Sequence, residues 1–396
     1  TGPVRRERFT DMHRSTGTYQ TSKTADESVK AFVPYPLPPR NPDLEVAGEI
    51  DRLHAEALTG LARLEVAGRM VPSTNWFLYG FVRKEAVVSS QIEGTQATLR
   101  EVVTFEATNE ANSPHDVEEV CNYVDAIKYA RGELAKPRGL PLSTRLLCEC
   151  HRRLMKGVRG SDKTPGEIRR TQNWIGGTRP GNAKFIPPPP EQVGKAMSQL
   201  EQWLHSNDTL PPLIKAGLAH VQFETIHPFL DGNGRIGRLL IALLLEHWKL
   251  MPSPLLYLSL AFKRHQIDYY SRLSAVRTDG DWEGWTAFYL RCVREAADNG
   301  VDVAGGLFEL LGKDRRRLAS NKRATVATIQ LHDLLPDHPV ITVARAAQLL
   351  KMTPPTARKA VEVAVNAGIL REVSGKQRDR VFAYHKYLQI LTGDDS

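Results

Sequence analysis

Long apolar runs are missing from this sequence. A helix crossing a bilayer needs about 20 consecutive apolar residues, and no run comes near that length, so attachment to a membrane is not expected. Cysteine is scarce: Cys121, Cys148, Cys150 and Cys292 are all there is. Cys148 and Cys150 stand too close for a zinc knuckle, and no second pair exists to complete one. Four scattered cysteines make no disulfide framework, which fits a reducing, cytoplasmic setting. The first thirty or so residues hold no apolar core of a secretory signal, so none is expected. There is no internal repeat. There is also no Gly-Lys-Ser/Thr to close a phosphate-binding P-loop, which excludes that class of nucleotide site.

The chain has 396 residues, enough for two or three domains, and its composition is ordinary for a globular protein. Its net charge is +8. That permits attraction to nucleic acid, anionic lipid or a nucleotide polyphosphate without choosing among them. The densest basic run, Lys313, Arg315, Arg316, Arg317, Lys322 and Arg323, reads as a solvated face or linker.

Residues 1 to about 30 are rich in charged and hydroxyl side chains and read as flexible. A proline-rich strap follows, Phe32-Val33-Pro34-Tyr35-Pro36-Leu37-Pro38-Pro39. Apolar residues recurring at three and four predict helices over 43–64, 76–93 and 117–129, the second stopped by Gly94. More helices are predicted over 143–158, 191–205, 212–226, 259–275 and 282–298. Between them, Trp174-Ile175 and Phe185-Ile186 flank Gly176-Gly177 and Pro180-Gly181-Asn182, the pattern of a β-hairpin. Residues 239–248 are almost wholly apolar, the mark of a central helix. From about 325 the order is helix, short strand, helix, turn, a helix opened by Thr353-Pro354, and two short strands around the basic turn Gly375-Lys376-Gln377-Arg378. That order describes a winged helix-turn-helix. The fold class is thus mainly α.

The chemistry concentrates in His227-Pro228-Phe229-Leu230-Asp231-Gly232-Asn233-Gly234-Arg235-Ile236-Gly237-Arg238. Pro228 disfavours helical geometry at His227, so the preceding helix should end there with its imidazole facing a loop. Gly232 and Gly234 allow close backbone approach. Loop amides feeding into a helix N-terminus make an anion site, and Arg235 and Arg238 suit phosphate oxygens. Asp231 can hold magnesium beside phosphates. His227 titrates near neutral pH and suits a general base. Together these residues imply phosphate-ester chemistry.

The twelve residues resemble the Fic family motif His-Pro-Phe-x-Asp/Glu-Gly-Asn-Gly-Arg-x-x-Arg, with every fixed position matched. The resemblance implies a helical Fic core and a protein adenylyltransferase. His227 would deprotonate a Tyr, Thr or Ser hydroxyl of a target protein or of the chain itself. That oxygen would attack the α-phosphate of ATP, and pyrophosphate would leave. Asp231 would bind Mg2+. Gly232, Asn233, Gly234, Ile236 and Gly237 would line the phosphates, with Asn233 at the α-phosphate and Arg235 and Arg238 on the outer ones. The hairpin resembles the Fic flap, which pins a target segment by strand addition; Lys184, Phe185, Ile186 and Pro187 would lie over the nucleotide. Tyr269 and Tyr270 stand where the family often has aromatics near adenine and ribose.

Ser89-Ser90-Gln91-Ile92-Glu93-Gly94 resembles the family's inhibitory motif Ser/Thr-x-x-x-Glu-Gly/Asn. Ser89 and Glu93 share a helix face, and the resemblance implies that Glu93 pairs with Arg238 and restrains transfer. It also implies an N-terminal Fic-associated domain over 1–115, a catalytic domain over 116–312 and a winged helix over 313–396, acting as a homodimer. Two other readings stand beside transfer. Some Fic proteins with such a glutamate remove AMP instead. A nucleotide-sensing regulator could bind DNA through the winged helix, whose second helix carries Thr356, Arg358 and Lys359 near its start.

Overall fold

The computed structural model describes residues 14–70, 74–109 and 114–393, with the side chains of Met70 and of 74–78 left aside. The flexible start expected over 1–13 lies outside the described residues. In chain order come strands β1 (Gly17–Thr24) and β2 (Glu27–Pro34), then helices α1 (Glu49–Met70), α2 (Thr74–Ile92), α3 (Leu99–Thr108), α4 (Pro114–Ala135) and α5 (Thr144–Leu154). A single 3-10 turn, Pro180–Asn182, precedes α6 (Pro190–Leu204), α7 (Pro212–Ile226), α8 (Asn233–His247), α9 (Leu258–Arg264), α10 (Gln266–Thr278) and α11 (Trp282–Ala319). The chain ends through α12 (Val326–Leu334), β3 (Val340–Thr342), α13 (Val343–Leu350), α14 (Pro354–Asn366), β4 (Arg371–Glu372), β5 (Val381–Ala383) and α15 (His385–Thr392). Contacts group these into two units: Thr1–Leu61, Asp125–Pro252 and Leu258–Glu295 in the first, Ala62–Val124, Ser253–Tyr257 and Ala296–Ser396 in the second.

The first unit is built on α7 and α8. On α7 nearly every residue is buried, from Leu213 through Ile226. Its sequence is apolar on all sides, so it can be covered all round. Prolines at 211 and 212 set its start, where a missing N–H costs nothing. On α8, Leu239, Leu240, Ile241, Leu243, Leu244 and Leu245 are all buried, each contributing about 1.5–3 kcal/mol against full exposure. Gly237 lets the two helices close up: a Cβ there would stand 2.3 Å from Glu224 Oε1. The central helix starts earlier than the apolar run predicts, because Asn233 to Arg238 already form its first turns. The single helix expected over 259–275 is broken at His265 into α9 and α10.

Residues 17–34, read from sequence as flexible chain and strap, pair instead as an antiparallel hairpin in register Gly17↔Pro34 to Thr24↔Glu27. The turn residues Ala25 and Asp26 both have positive φ, 45° and 62°, the geometry of a two-residue turn that follows strand twist. The polar strand β1 hides the usual period-2 signal, since only β2 has a buried face. Arg14 roots the hairpin. Its guanidinium donates to both Glu283 oxygens at 2.8 and 2.9 Å and to the carbonyls of Pro42, Asp43 and Gly280.

The second unit joins the predicted inhibitory helix to the C-terminal module. Helix α2 is tied to α3 by Arg83, which grips Glu106 at 2.7 Å. Gly80 of α2 faces Leu391 of α15, whose side chain a Cβ would strike at 2.9 Å. Helices α13 and α14 follow one another at a turn through Lys351, and a three-stranded sheet of order β3-β5-β4 lies beside them. Helices α3 and α15 were not anticipated. The long α11 absorbs the basic run from Lys313 to Arg317, which was read as a face or linker.

Removing Arg14 leaves Glu283 buried without its counter-charge, held among the described residues only by the Glu45 N–H at 3.1 Å. The Arg14 and Glu283 side chains are only 1% and 7% exposed, so Arg14→Ala should cost about 3–5 kcal/mol in urea unfolding. A loss below ~1 kcal/mol would contradict a structural role for this pair.

Candidate active site

Helix α7 ends on His227, which adopts the left-handed conformation at φ 50° and ψ 62°. A side-chain-bearing residue is held there at a cost of order 1–3 kcal/mol, and only where its surroundings over-determine it. Three groups do so. Its N–H donates to Phe223 O at 2.9 Å. Its carbonyl accepts from Arg169 Nε at 2.9 Å. Its ring Nδ1 stands 3.3 Å from Glu224 O. A carbonyl can only accept, so Nδ1 carries the hydrogen and Nε2 keeps the lone pair of a base.

The loop from Pro228 to Gly232 is clamped from inside. Asn233 accepts from Phe229 N–H at 2.9 Å and donates to Phe229 O at 2.8 Å. Its side-chain amide, expected at the α-phosphate, thus braces the loop with one donor and one acceptor. Gly232 is left-handed at φ 76° and leads into α8, which no side chain caps. The first-turn amides of α8 thus open toward the loop mouth, with the partial positive charge of a helix N-terminus. Asp231 lies at that mouth with its side chain 38% exposed. One carboxylate oxygen takes the Gly232 N–H at 2.6 Å, and the backbone of Gly160 closes over the other. Among the described residues no group of three or more His, Cys, Asp or Glu could hold a metal. A magnesium ion here would rely on Asp231 and phosphate oxygens, a pairing that ion commonly accepts.

The two arginines turn inward. Arg235 is fully buried, 3.8 Å from Asp231 Oδ1 and 3.6 Å from Met155 Sδ, and Arg238 is 3% exposed. The tyrosine pair is split. Tyr269 is buried and bonded through its hydroxyl to His220 Nε2 at 2.8 Å, whereas Tyr270 is 46% exposed. Of the two, only Tyr270 is open to a ligand.

The expected hairpin over the site is reduced to one bridge, Ile175↔Phe185. Its two ends are joined through left-handed Gly176 and Gly177 and the 3-10 turn rather than by regular strands. Lys184 is exposed, Phe185 and Ile186 half-buried, and Pro187 buried. The guanidinium of Arg277 stacks 4.0 Å over the Phe185 ring.

The site also rests on two residues the sequence reading passed over. Arg169 is 1% exposed and donates to the carbonyls of Thr171, Pro188, Ile226 and His227, tying the flap base to the end of α7. Burial lowers its pKa to about 10, so it stays charged at neutral pH. His151 of α5 stacks on Phe229 at 3.9 Å. Its Nε2 donates to Asp231 O at 3.0 Å, and its Nδ1 accepts from Gly166 N–H at 2.8 Å. Burial pushes it down to about 4, which keeps it neutral and able to accept. A histidine on the buried stripe of a helix and one arginine of an Arg-Arg pair carry no sequence signal that separates them from ordinary core and surface.

Ser89 is fully buried near the end of α2, and Glu93 follows the last helical residue, half-buried. Gly94, at φ +97°, turns the chain there, and Thr95 N–H closes the end on Ser90 O at 3.2 Å.

A histidine at a helix end, a glycine-turned loop and the N-terminus of a buried helix make an arrangement in a helical domain that suits an anion. Residues 141–245 match the Fic/DOC family model, and residues 52–132 match that of the Fic/DOC family N-terminal region. The chain is a Fic domain protein. It is 30% identical over 212 residues to "Protein adenylyltransferase Fic" of Drosophila grimshawi, a match covering 52% of this chain and 40% of that protein. The chain thus spans well under half the length of that curated relative. A Fic family protein from Desulfovibrio desulfuricans G20 superposes with a TM-score of 0.55 at 22% identity, over 86% of this chain and 97% of that one. A Fic domain containing signaling protein from Bacteroides thetaiotaomicron VPI-5482 gives 0.50 at 18%, over 65% and 97%. Both likenesses show the fold.

His220 provides a test of the packing beneath this site. Burial pushes its pKa from 6.5 to about 3. The unfolded chain then binds the extra proton first, so stability is complete above about pH 6.5 and falls as pH drops toward 3. Replacing both partners, His220→Leu with Tyr269→Phe, should change stability little at pH 7 and flatten the acid loss. An unchanged acid profile in thermal melts would contradict this.

Proposed function

We propose that this chain is a protein adenylyltransferase, moving AMP from ATP to a Tyr, Thr or Ser hydroxyl with release of pyrophosphate. One observation carries the reading: His227, its Nδ1 committed to Glu224 O, heads a loop that runs directly into the uncapped N-terminus of α8. The relatives named protein adenylyltransferases support it. In this reading His227 Nε2 takes the proton of the incoming hydroxyl, correctly oriented by Glu224. The loop amides and the α8 N-terminus favour charge developing at the α-phosphate. Asp231 would hold Mg2+, and Arg235 and Arg238 would face the outer phosphates. ATP supplies the transferred group and the leaving pyrophosphate.

Glu93 acts as a brake by pairing with Arg238. The spacing from Ser89 and the glycine stop at Gly94, which sets Glu93 at the end of α2, support this role. The functional division we propose follows the sequence: an N-terminal part over 1–115 bearing the brake, a catalytic part over 116–312 and a winged helix over 313–396, in a cytoplasmic homodimer. Incubated with ATP labelled in the adenine ring, Glu93→Gly should label itself at least ~10-fold more than the parent chain, a change of about 1.4 kcal/mol in barrier. Adding His227→Ala should abolish the signal. Equal labelling of parent and Glu93→Gly sinks the brake, and persistent labelling with His227→Ala sinks the base.

Duplex DNA is a second partner of the C-terminal part. Arg358 and Lys359 stand exposed on α14, and Lys376, Arg378 and Arg380 stand exposed beside it in sequence on the β4–β5 turn. Binding of a labelled duplex should weaken steeply as salt rises. No binding at low salt removes this partner.

A further inference from the structure

The outer edge of the flap is already filled by the chain itself. Consecutive peptide groups of an extended strand point to opposite edges. Phe185 turns both its N–H and its carbonyl to Ile175, at 3.1 and 2.8 Å. Ile186 therefore faces the other way, and its carbonyl accepts from Phe32 N–H at 2.9 Å. Phe32 belongs to β2, so β2 lies where strand addition would seat a target segment. Side chains brace the contact. Arg179 beside the flap turn pairs with Glu27 at 2.8 Å, and Ser22 Oγ donates to Gln172 Oε1 at 3.0 Å. The Phe32 and Phe185 rings stand 6.5 Å apart. Around that bond β2 reads Val29-Lys30-Ala31-Phe32-Val33-Pro34 without a hydroxyl, the nearest in the chain being Ser28 and Tyr35 at its two ends. Every hydroxyl of β1 lies one strand further out.

We propose that β2 is a built-in pseudosubstrate: it pairs with the flap as a target would, and the residues on either side of its Phe32 contact, Ala31 and Val33, offer no acceptor oxygen. The inference rests on the adenylyltransferase reading of the same site. It makes the hairpin a second restraint, independent of Glu93, because one governs the nucleotide and the other governs access of the acceptor. A target reaches Ile186 only by displacing Phe32.

A pseudosubstrate becomes a substrate when given the missing atom. Ala31→Ser and Val33→Thr, made separately in a Glu93→Gly chain, each add one hydroxyl with almost no change of shape. In the expected step His227 Nε2 takes that hydroxyl's proton. The oxygen–α-phosphorus bond forms as the α–β bridging bond breaks, and pyrophosphate leaves with the electron pair. After incubation with ATP and Mg2+, peptide mass spectrometry should find AMP at position 31 or 33 in at least one variant, at higher occupancy than on Ser28, Tyr35 or any hydroxyl of β1. Melting curves matching the parent confirm that the hairpin is intact. AMP on other residues of both variants with none at 31 or 33 overturns the pseudosubstrate and leaves the adenylyltransferase reading standing. AMP nowhere, the Glu93→Gly parent included, overturns both.

Discussion

The left-handed joint at His227 is the constraint from which the site follows. A helix that stopped one residue earlier or later would aim the imidazole elsewhere, and α8 would not begin where the loop ends. The joint is costly for a residue with a side chain, and the surrounding bonds repay it. Asn233 holds the loop from one side through both atoms of its amide, and Arg169 holds it from the other through four carbonyls. Neither residue needs to touch a ligand to matter. They fix the distance between a base and a helix N-terminus, the geometry that orientation effects in catalysis depend on.

Placing a cradle on such a joint also explains its burial pattern. Arg235 and Asn233 are almost completely enclosed, so the charge of the site is anchored in the core, while His227, Leu230 and Asp231 stay half-buried at the loop. Rigid support from α7 and α8, packed closely enough to require Gly237, keeps the amides at the start of α8 aimed without reorganisation. Beside this rigid base lie the flap, tied to it through Arg169 and Asn173, and the strand β2 that borders the flap.

Much of this was legible in the sequence where one residue type has a local job. Pro228 announced the end of α7, the glycines announced the turn, and the solid apolar run announced α8. Gly94 marked the end of α2. The sequence was silent where a residue's role depends on distant partners. Asn233 looked like a ligand alone because its bracing partner, the backbone of Phe229, cannot be read from residue type. Tyr269 and Tyr270 looked alike because adjacency hides which faces the core. The hairpin of β1 and β2 escaped because a strand with one polar partner has no strict alternation, and Arg14, which roots it, is one arginine among many. Helix α11 outran its expected end because charged residues at its close favour neither helix nor linker by pattern alone.

The central claim is that this cradle transfers the AMP moiety of ATP and no other part of it. The direct measurement compares ATP labelled at the α-phosphate with ATP labelled at the γ-phosphate, each incubated with the Glu93→Gly chain and Mg2+ and followed by denaturing gel. The account predicts protein-bound label from the α-position alone, with the γ-label recovered as pyrophosphate. Protein-bound label from the γ-position, or from neither, contradicts it.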